Sequence, residues 1–93
     1  MKTKIDIARL EKISKALGDP YRAKMLDVIR HEPGGMTCCE MKDMFHLAQS
    51  TVSHHLKQLV DADLLLYEKN GRFSRYWINK KTFSDFVSLL NKF

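Results

Sequence analysis

Ninety-three residues, 44% of them hydrophobic, can build one small core, so a single domain over residues 1–93 is expected. Sixteen Lys and Arg against eleven Asp and Glu leave a net charge of +5, which suits nucleic acid or an anionic membrane surface. No apolar run approaches the roughly 20 residues that span a bilayer. The first ten residues carry Lys2, Lys4, Asp6 and Arg9 where a signal peptide would be apolar, so a cytoplasmic protein is expected.

Apolar residues at Ile7, Leu10, Ile13 and Leu17 have helical spacing and predict a first helix from about Ile5 to Leu17, stopped by Gly18. Asp19 is placed to cap a second helix with Pro20 at its first position, running to about His31 with Leu26 and Ile29 inward. Pro33, Gly34 and Gly35 end it. Thr37 and Glu40 have the spacing of a capping box and open a short third helix to about Phe45. After a tight connection, around His46 to Gln49, a fourth helix is predicted from near Ser50 to near Ala62. Leu64 to Tyr67 and Phe73 to Ile78 are rich in branched and aromatic residues. Asn70-Gly71 between them predicts a hairpin with a type I′ turn, which would set Lys69 opposite Arg72. Thr82 is the expected cap of a last helix whose apolar stripe is Phe83, Phe86, Leu90 and Phe93.

The fold read from these elements is mainly α with a β-hairpin wing, about five helices and two strands. Two short helices joined by a tight turn and followed by a hairpin make a winged helix-turn-helix.

On the fourth helix, Val52, Leu56 and Leu59 fall within about 40° of one another at 100° per residue and form the buried seam. Ser50, His54, Lys57 and Asp61 face the other way, with Thr51 and Gln58 on one flank. Amide, hydroxyl and ammonium groups suit base edges and phosphates, and the first turns of such a helix reach deepest into a groove. Gln49, Ser50, Thr51, Ser53, His54 and Lys57 are therefore candidate DNA contacts. An ordinary solvated helix face is the alternative, with Ser50 a helix cap. His55, at the seam's edge, reads as a packed histidine. His54 and His55 point about 100° apart and make a poor metal site.

Five cations, Lys69, Arg72, Arg75, Lys80 and Lys81, against Glu68 give residues 67–81 a local +4. Of these, Lys69, Arg72 and Arg75 are candidate contacts to the DNA backbone, a solvent-screened hairpin tip being the alternative.

Cys38 and Cys39 are neighbours and would close almost no loop as a disulfide, so a reduced pair is expected. Both fall in the first turn of the third helix, where the helix dipole favours a thiolate. They are candidates for binding a soft metalloid or metal, or for oxidation. The alternative is one packed thiol and one inert one. No cofactor is otherwise required.

The run LAQSTVSHHLKQL over 47–59, followed by LLL at 64–66 and NGRFSRYWI at 70–78, resembles the ArsR/SmtB family of winged-helix transcriptional repressors. ALGDPYR at 16–22 resembles that family's opening motif, and the likeness extends over about residues 10 to 90. It implies repression by binding an inverted-repeat operator in double-stranded DNA. It also implies a homodimer joined through the first and last helices, for which Ile7, Leu10, Phe86, Leu90 and Phe93 are the candidates. Two recognition helices would then sit about 34 Å apart. The family's arsenical sensors carry Cys-Val-Cys and a third cysteine three residues on, positions that fall here on Thr37, Cys39 and Lys42. Only Cys39 is in register. The family's other metal site uses Asp and His pairs on the last helix, which here contains Asp85 and no histidine. His31 and His46 have no ligand partner in sequence and read as surface residues.

There is no phosphate loop, nucleophile elbow or metalloprotease motif, so an enzyme is not expected. A protein-interaction module would more often carry an exposed apolar patch on the recognition face. An RNA binder would more often carry aromatic stacking platforms there.

Overall fold

The computed structural model describes residues 6–93. Helix α1 (Ile7–Leu17) starts where the Asp6 carboxylate accepts from the Arg9 N–H at 3.1 Å. The expected start near Ile5 lies outside the described residues. Gly18 ends α1 with φ −78°, so it does not use the left-handed conformation that glycine offers at helix ends. The chain turns because Asp19 immediately caps α2 (Pro20–Ile29), accepting from the N–H groups of Tyr21 and Arg22 at 2.8 and 3.1 Å. A six-residue loop, 30–35, leads to β1 (Met36–Thr37), a strand the sequence reading lacked. Two residues give no period to read, and β1 exists because Met36 and Thr37 pair antiparallel with Tyr76 and Arg75.

Helix α3 (Cys38–Phe45) follows with no residue between. Its capping box forms as expected: Thr37 Oγ1 accepts from the Glu40 N–H at 3.1 Å, and Glu40 Oε1 accepts from the Thr37 N–H at 2.8 Å. His46, left-handed at φ 56°, turns the chain into α4 (Gln49–Asp61). Ala48 occupies the cap position of α4 without a side-chain bond, so Ser50 is not its cap.

Strands β2 (Leu65–Asn70) and β3 (Phe73–Ile78) form the hairpin, and the sheet order is β1-β3-β2. Asn70 pairs with Phe73, so the two turn residues are Gly71 and Arg72, not Asn70 and Gly71. Gly71 has φ +65° while Arg72 does not have a positive φ, the pattern of type II′ rather than the expected type I′. Lys69 consequently lies opposite Ser74, and Glu68 opposite Arg75. Lys69 and Arg72 therefore do not face each other as expected.

Helix α5 (Lys80–Leu90) is capped by Asn79, whose Oδ1 accepts from the Thr82 N–H. Thr82, expected at the cap, sits in the first turn, buried, where its hydroxyl accepts from Arg9 Nη2 at 3.2 Å. The core gathers Ile13 and Ala16 of α1, Met25, Leu26 and Ile29 of α2, and Met41 of α3. Met36 of β1, Val52, Leu56 and Leu59 of α4, Ala62 and Leu64 just after it, Leu65 and Tyr76 of the hairpin and Phe86 of α5 complete it. Among the described residues, no helix is long and apolar enough to cross a membrane.

Candidate nucleic-acid interface

Helix α4 is held by its inner seam: Val52, Leu56 and Leu59 have no solvent exposure. Each outward residue is polar. Gln49, Ser50, Thr51, Ser53, His54, Lys57, Gln58 and Asp61 are all exposed. Lys57 and Asp61 form an i,i+4 ion pair at 3.0 Å, worth only about 0.3–0.5 kcal/mol when exposed, so the ammonium is cheaply redirected. His55 is half-buried, as the sequence reading had it. Its ring stacks on Tyr21 with centroids 6.0 Å apart, and its Nδ1 lies 3.5 Å from Arg22 Nη1. Arg22 also donates to the carbonyls of Ala16 (2.7 Å) and Lys15 (3.3 Å), tying the end of α1 and the start of α2 to the back of α4. The Arg22 N–H holds the Asp19 carboxyl below its ordinary range, with a smaller contribution from the Tyr21 N–H.

Strand alternation sorts the hairpin's cations. Successive residues of a strand point to opposite faces, so Ser74 and Tyr76 share one face, and Phe73, Arg75 and Trp77 the other. The first face looks toward α4. Gln49, Ser53, Arg72, Ser74 and Tyr76 line one cleft of about 110 Å³, together with Thr37, Cys38, Cys39 and, from the edge of the other face, Phe73. Lys69, across from Ser74, belongs to that same face. Arg75 is on the other side, and its Nη1 donates to the carbonyls of Gly34 (3.1 Å) and Gly35 (3.2 Å).

The candidate groups thus converge unequally. Gln49, Ser53 and Arg72 meet across the cleft. Ser50, Thr51, His54 and Lys57 extend the polar face along α4, and Lys69 extends the basic tip. The cleft also contains Ser74 and Tyr76, which the sequence reading did not single out; strand alternation from a correct register would have found them. Burial, then the nearby Cys38 and Tyr67, raise the Tyr76 phenol above its ordinary value, so it stays protonated at neutral pH.

Cys38 and Cys39 are both free thiols, the first half-buried and the second exposed. Cys38 Sγ lies 3.4 Å from Ser53 Oγ, which places a thiol in contact with the polar face of α4. Among the described residues, no three His, Cys, Asp or Glu side chains are arranged to hold a metal ion. Two thiols are therefore the most this site offers a soft ion, and adjacent helical positions diverge by about 100°.

On the first and last helices and just beyond, Ile7 is 64% exposed, Leu90 48% and Phe93 80%, and Val87 is exposed as well. Phe86, expected among them, is instead buried in the chain's own core, and Leu10 is half-buried against that core. The large apolar residues that α1 and the end of the chain leave exposed are Ile7, Val87, Leu90 and Phe93.

A polar-faced helix after a tight turn, flanked by a hairpin with a basic tip, defines a winged helix-turn-helix. A model described as a helix-turn-helix domain matches residues 17–68. The arsenical resistance operon repressor of Staphylococcus xylosus is 37% identical over 79 residues, covering 85% of this chain and 73% of that protein. A crystal structure of an ArsR family transcriptional regulator superposes with a TM-score of 0.84 at 26% identity, covering 97% of this chain and 91% of the other. The solution structure of a homodimeric winged helix-turn-helix DNA-binding domain from Mycobacterium bovis has a TM-score of 0.76 at 19% identity, covering 97% and 87%. The chain belongs to the ArsR/SmtB family of winged helix-turn-helix transcriptional regulators. That family and fold are those of regulators, not enzymes.

Proposed function

We propose that this chain is a dimeric repressor that binds an inverted-repeat operator in duplex DNA and leaves it when its cysteines react. Helix α4 enters the major groove, with Gln49, Ser50, Thr51, Ser53 and His54 toward base edges and Lys57 toward phosphate. Lys69 and Arg72 hold the flanking backbone. Two copies join through Ile7, Leu90 and Phe93, with Val87, which sets the two α4 helices at the spacing of successive major grooves. The Staphylococcus xylosus relative, named as an operon repressor, supports the repressing role, and the homodimeric Mycobacterium bovis domain supports the assembly.

One observation carries this reading: the cleft in which Gln49, Ser53 and Arg72 meet Cys38 and Cys39. A thiol 3.4 Å from a hydroxyl of α4 cannot gain an arsenic atom or an oxygen without altering the surface offered to DNA. Arsenite supplies the first: as each As–S bond forms, one As–OH bond breaks and its hydroxyl leaves as water with the thiol proton. Hydrogen peroxide supplies the second, oxidising the thiol to a sulfenic acid while its other oxygen leaves as water.

The test is a titration of a palindromic duplex from the chain's own upstream region, across salt, with and without arsenite or peroxide. Selective binding that weakens with salt and is abolished by either reagent, with the release lost in Cys38→Ser or Cys39→Ser, is the expected result. Selective binding indifferent to both reagents would remove the thiol signal and leave a constitutive regulator. No preference over random duplex would remove the operator itself and leave a protein-interaction module.

A further inference from the structure

Arg75 has the charge of a DNA contact but not its position. It lies on the sheet face opposite Ser74 and Tyr76, away from the cleft that Gln49, Ser53 and Arg72 share. Its backbone pairs with Thr37 on one side and Glu68 on the other, in the middle strand of the sheet. One guanidinium nitrogen reaches two consecutive carbonyls, those of Gly34 and Gly35, at 3.1 and 3.2 Å. Those carbonyls belong to the 30–35 loop, the longest connection among the described residues.

The loop is shaped to receive this grip. Gly35 is buried at φ +77°, where L side chains are strained. A Cβ built there would come within 2.7 Å of the Tyr76 carbonyl oxygen and 2.9 Å of Trp77 Nε1. The loop backbone therefore lies directly against β3, and Arg75 and Trp77 of the same sheet face both reach it.

We propose that Arg75 is a positioning residue: it clamps the wing to the 30–35 loop and affects DNA only through where it leaves Lys69 and Arg72. This rests on the proposal that the wing grips DNA, but the clamp has a readout without DNA. The Nη1 amino group has two N–H donors, one for each carbonyl, and stands one bond further from the backbone than a lysine ammonium would. A phosphate contact would need only a positive charge.

The experiment compares Arg75→Gln, Arg75→Lys and Arg72→Gln with the unmodified chain. Trp77 is the only tryptophan, so its fluorescence reports the loop directly. Without DNA, both Arg75 variants are expected to shift Trp77 emission and raise its quenching by acrylamide, with thermal unfolding still cooperative; Arg72→Gln is expected to do neither. On the upstream duplex, Arg72→Gln is expected to lower the slope of log affinity against log salt by about 0.9, one phosphate contact. Both Arg75 variants are expected to bind several-fold more weakly with the slope unchanged.

Full rescue by Arg75→Lys, with a slope loss in Arg75→Gln matching that of Arg72→Gln, would overturn the proposal and return Arg75 to the DNA backbone. So would Trp77 emission that is indifferent to both Arg75 variants. If the unmodified chain binds no duplex, the DNA reading fails by itself and the Trp77 signal alone decides the clamp. Should Arg75→Gln not fold, Arg75→Lys, which keeps the charge and the aliphatic stem, carries the same comparison.

Discussion

Helices α4 and α5 are both amphipathic, with 13 and 11 residues, yet they treat their apolar side chains differently. Helix α4 turns its apolar set inward: each of its exposed residues is polar. Helix α5 buries Phe86 and Leu89 but leaves Val87 and Leu90 in solvent, with Phe93 just beyond its end. An exposed face of amide, hydroxyl and ammonium groups suits a polyanion. Exposed Val, Leu and Phe side chains suit another protein surface. Amphipathicity is common to both helices; the face left in water separates one kind of partner from the other.

The largest effect that tests this contrast is on stability. Leu56→Ala in the closed seam of α4 should destabilise the fold by about 2–5 kcal/mol, whereas Leu90→Ala on the open face of α5, at protein concentrations low enough to keep the chain monomeric, should change it by about 0.5 kcal/mol or less. Urea unfolding of both variants measures the pair, and equal costs would mean that the two faces are not differently used. Next, Leu90→Glu should weaken self-association by about 2 kcal/mol while leaving the chain folded. Sedimentation equilibrium reads this, and an unchanged dimer would take the α5 face out of the interface.

On α4, Gln49→Ala should cost about 1–3 kcal/mol of discrimination between the preferred duplex and one altered at a single base pair. An equal loss on random duplex would make Gln49 a backbone contact. The smallest effect concerns the network behind α4. Asp19 has an ordinary carboxyl value of 3.8, lowered in the fold by the Arg22 and Tyr21 N–H groups. A group depressed in the folded state contributes stability above its unfolded value and loses it as pH falls through the folded one. Acid titration of stability should therefore show a small loss below about pH 4. That loss should flatten in Asp19→Asn, which still caps the helix but does not titrate.

The parts of this arrangement set by local pattern could be read from the chain. The seam of α4, the Thr37–Glu40 capping box and the Asp19 cap all follow from spacing over three or four residues, and the structure contains them. Features chosen by tertiary contacts leave no such local trace. Asn79 and Thr82 are both good caps three residues apart, and the choice is tertiary: Thr82 is drawn into the interior by Arg9 of α1. The hairpin turn moved by one residue because Gly71 satisfies either turn type. That single step exchanged the partners of Lys69 and placed Glu68 opposite Arg75. Strand β1 has no local signal, and only its pairing with β3 creates it. Of the candidate site, the polar face of α4 was legible. The meeting of Arg72 with Gln49 and Cys38 was not, because it depends on how the hairpin folds back.

Thr37 serves two structures at once. Its backbone closes β1 against Arg75, and its side chain and N–H begin α3 by exchanging bonds with Glu40. The strand ends there and the helix begins at Cys38, so the joint has no slack residue to absorb a displacement. Whatever rotates the first turn of α3 must drag the middle strand of the wing with it, as a crank without play moves its rod.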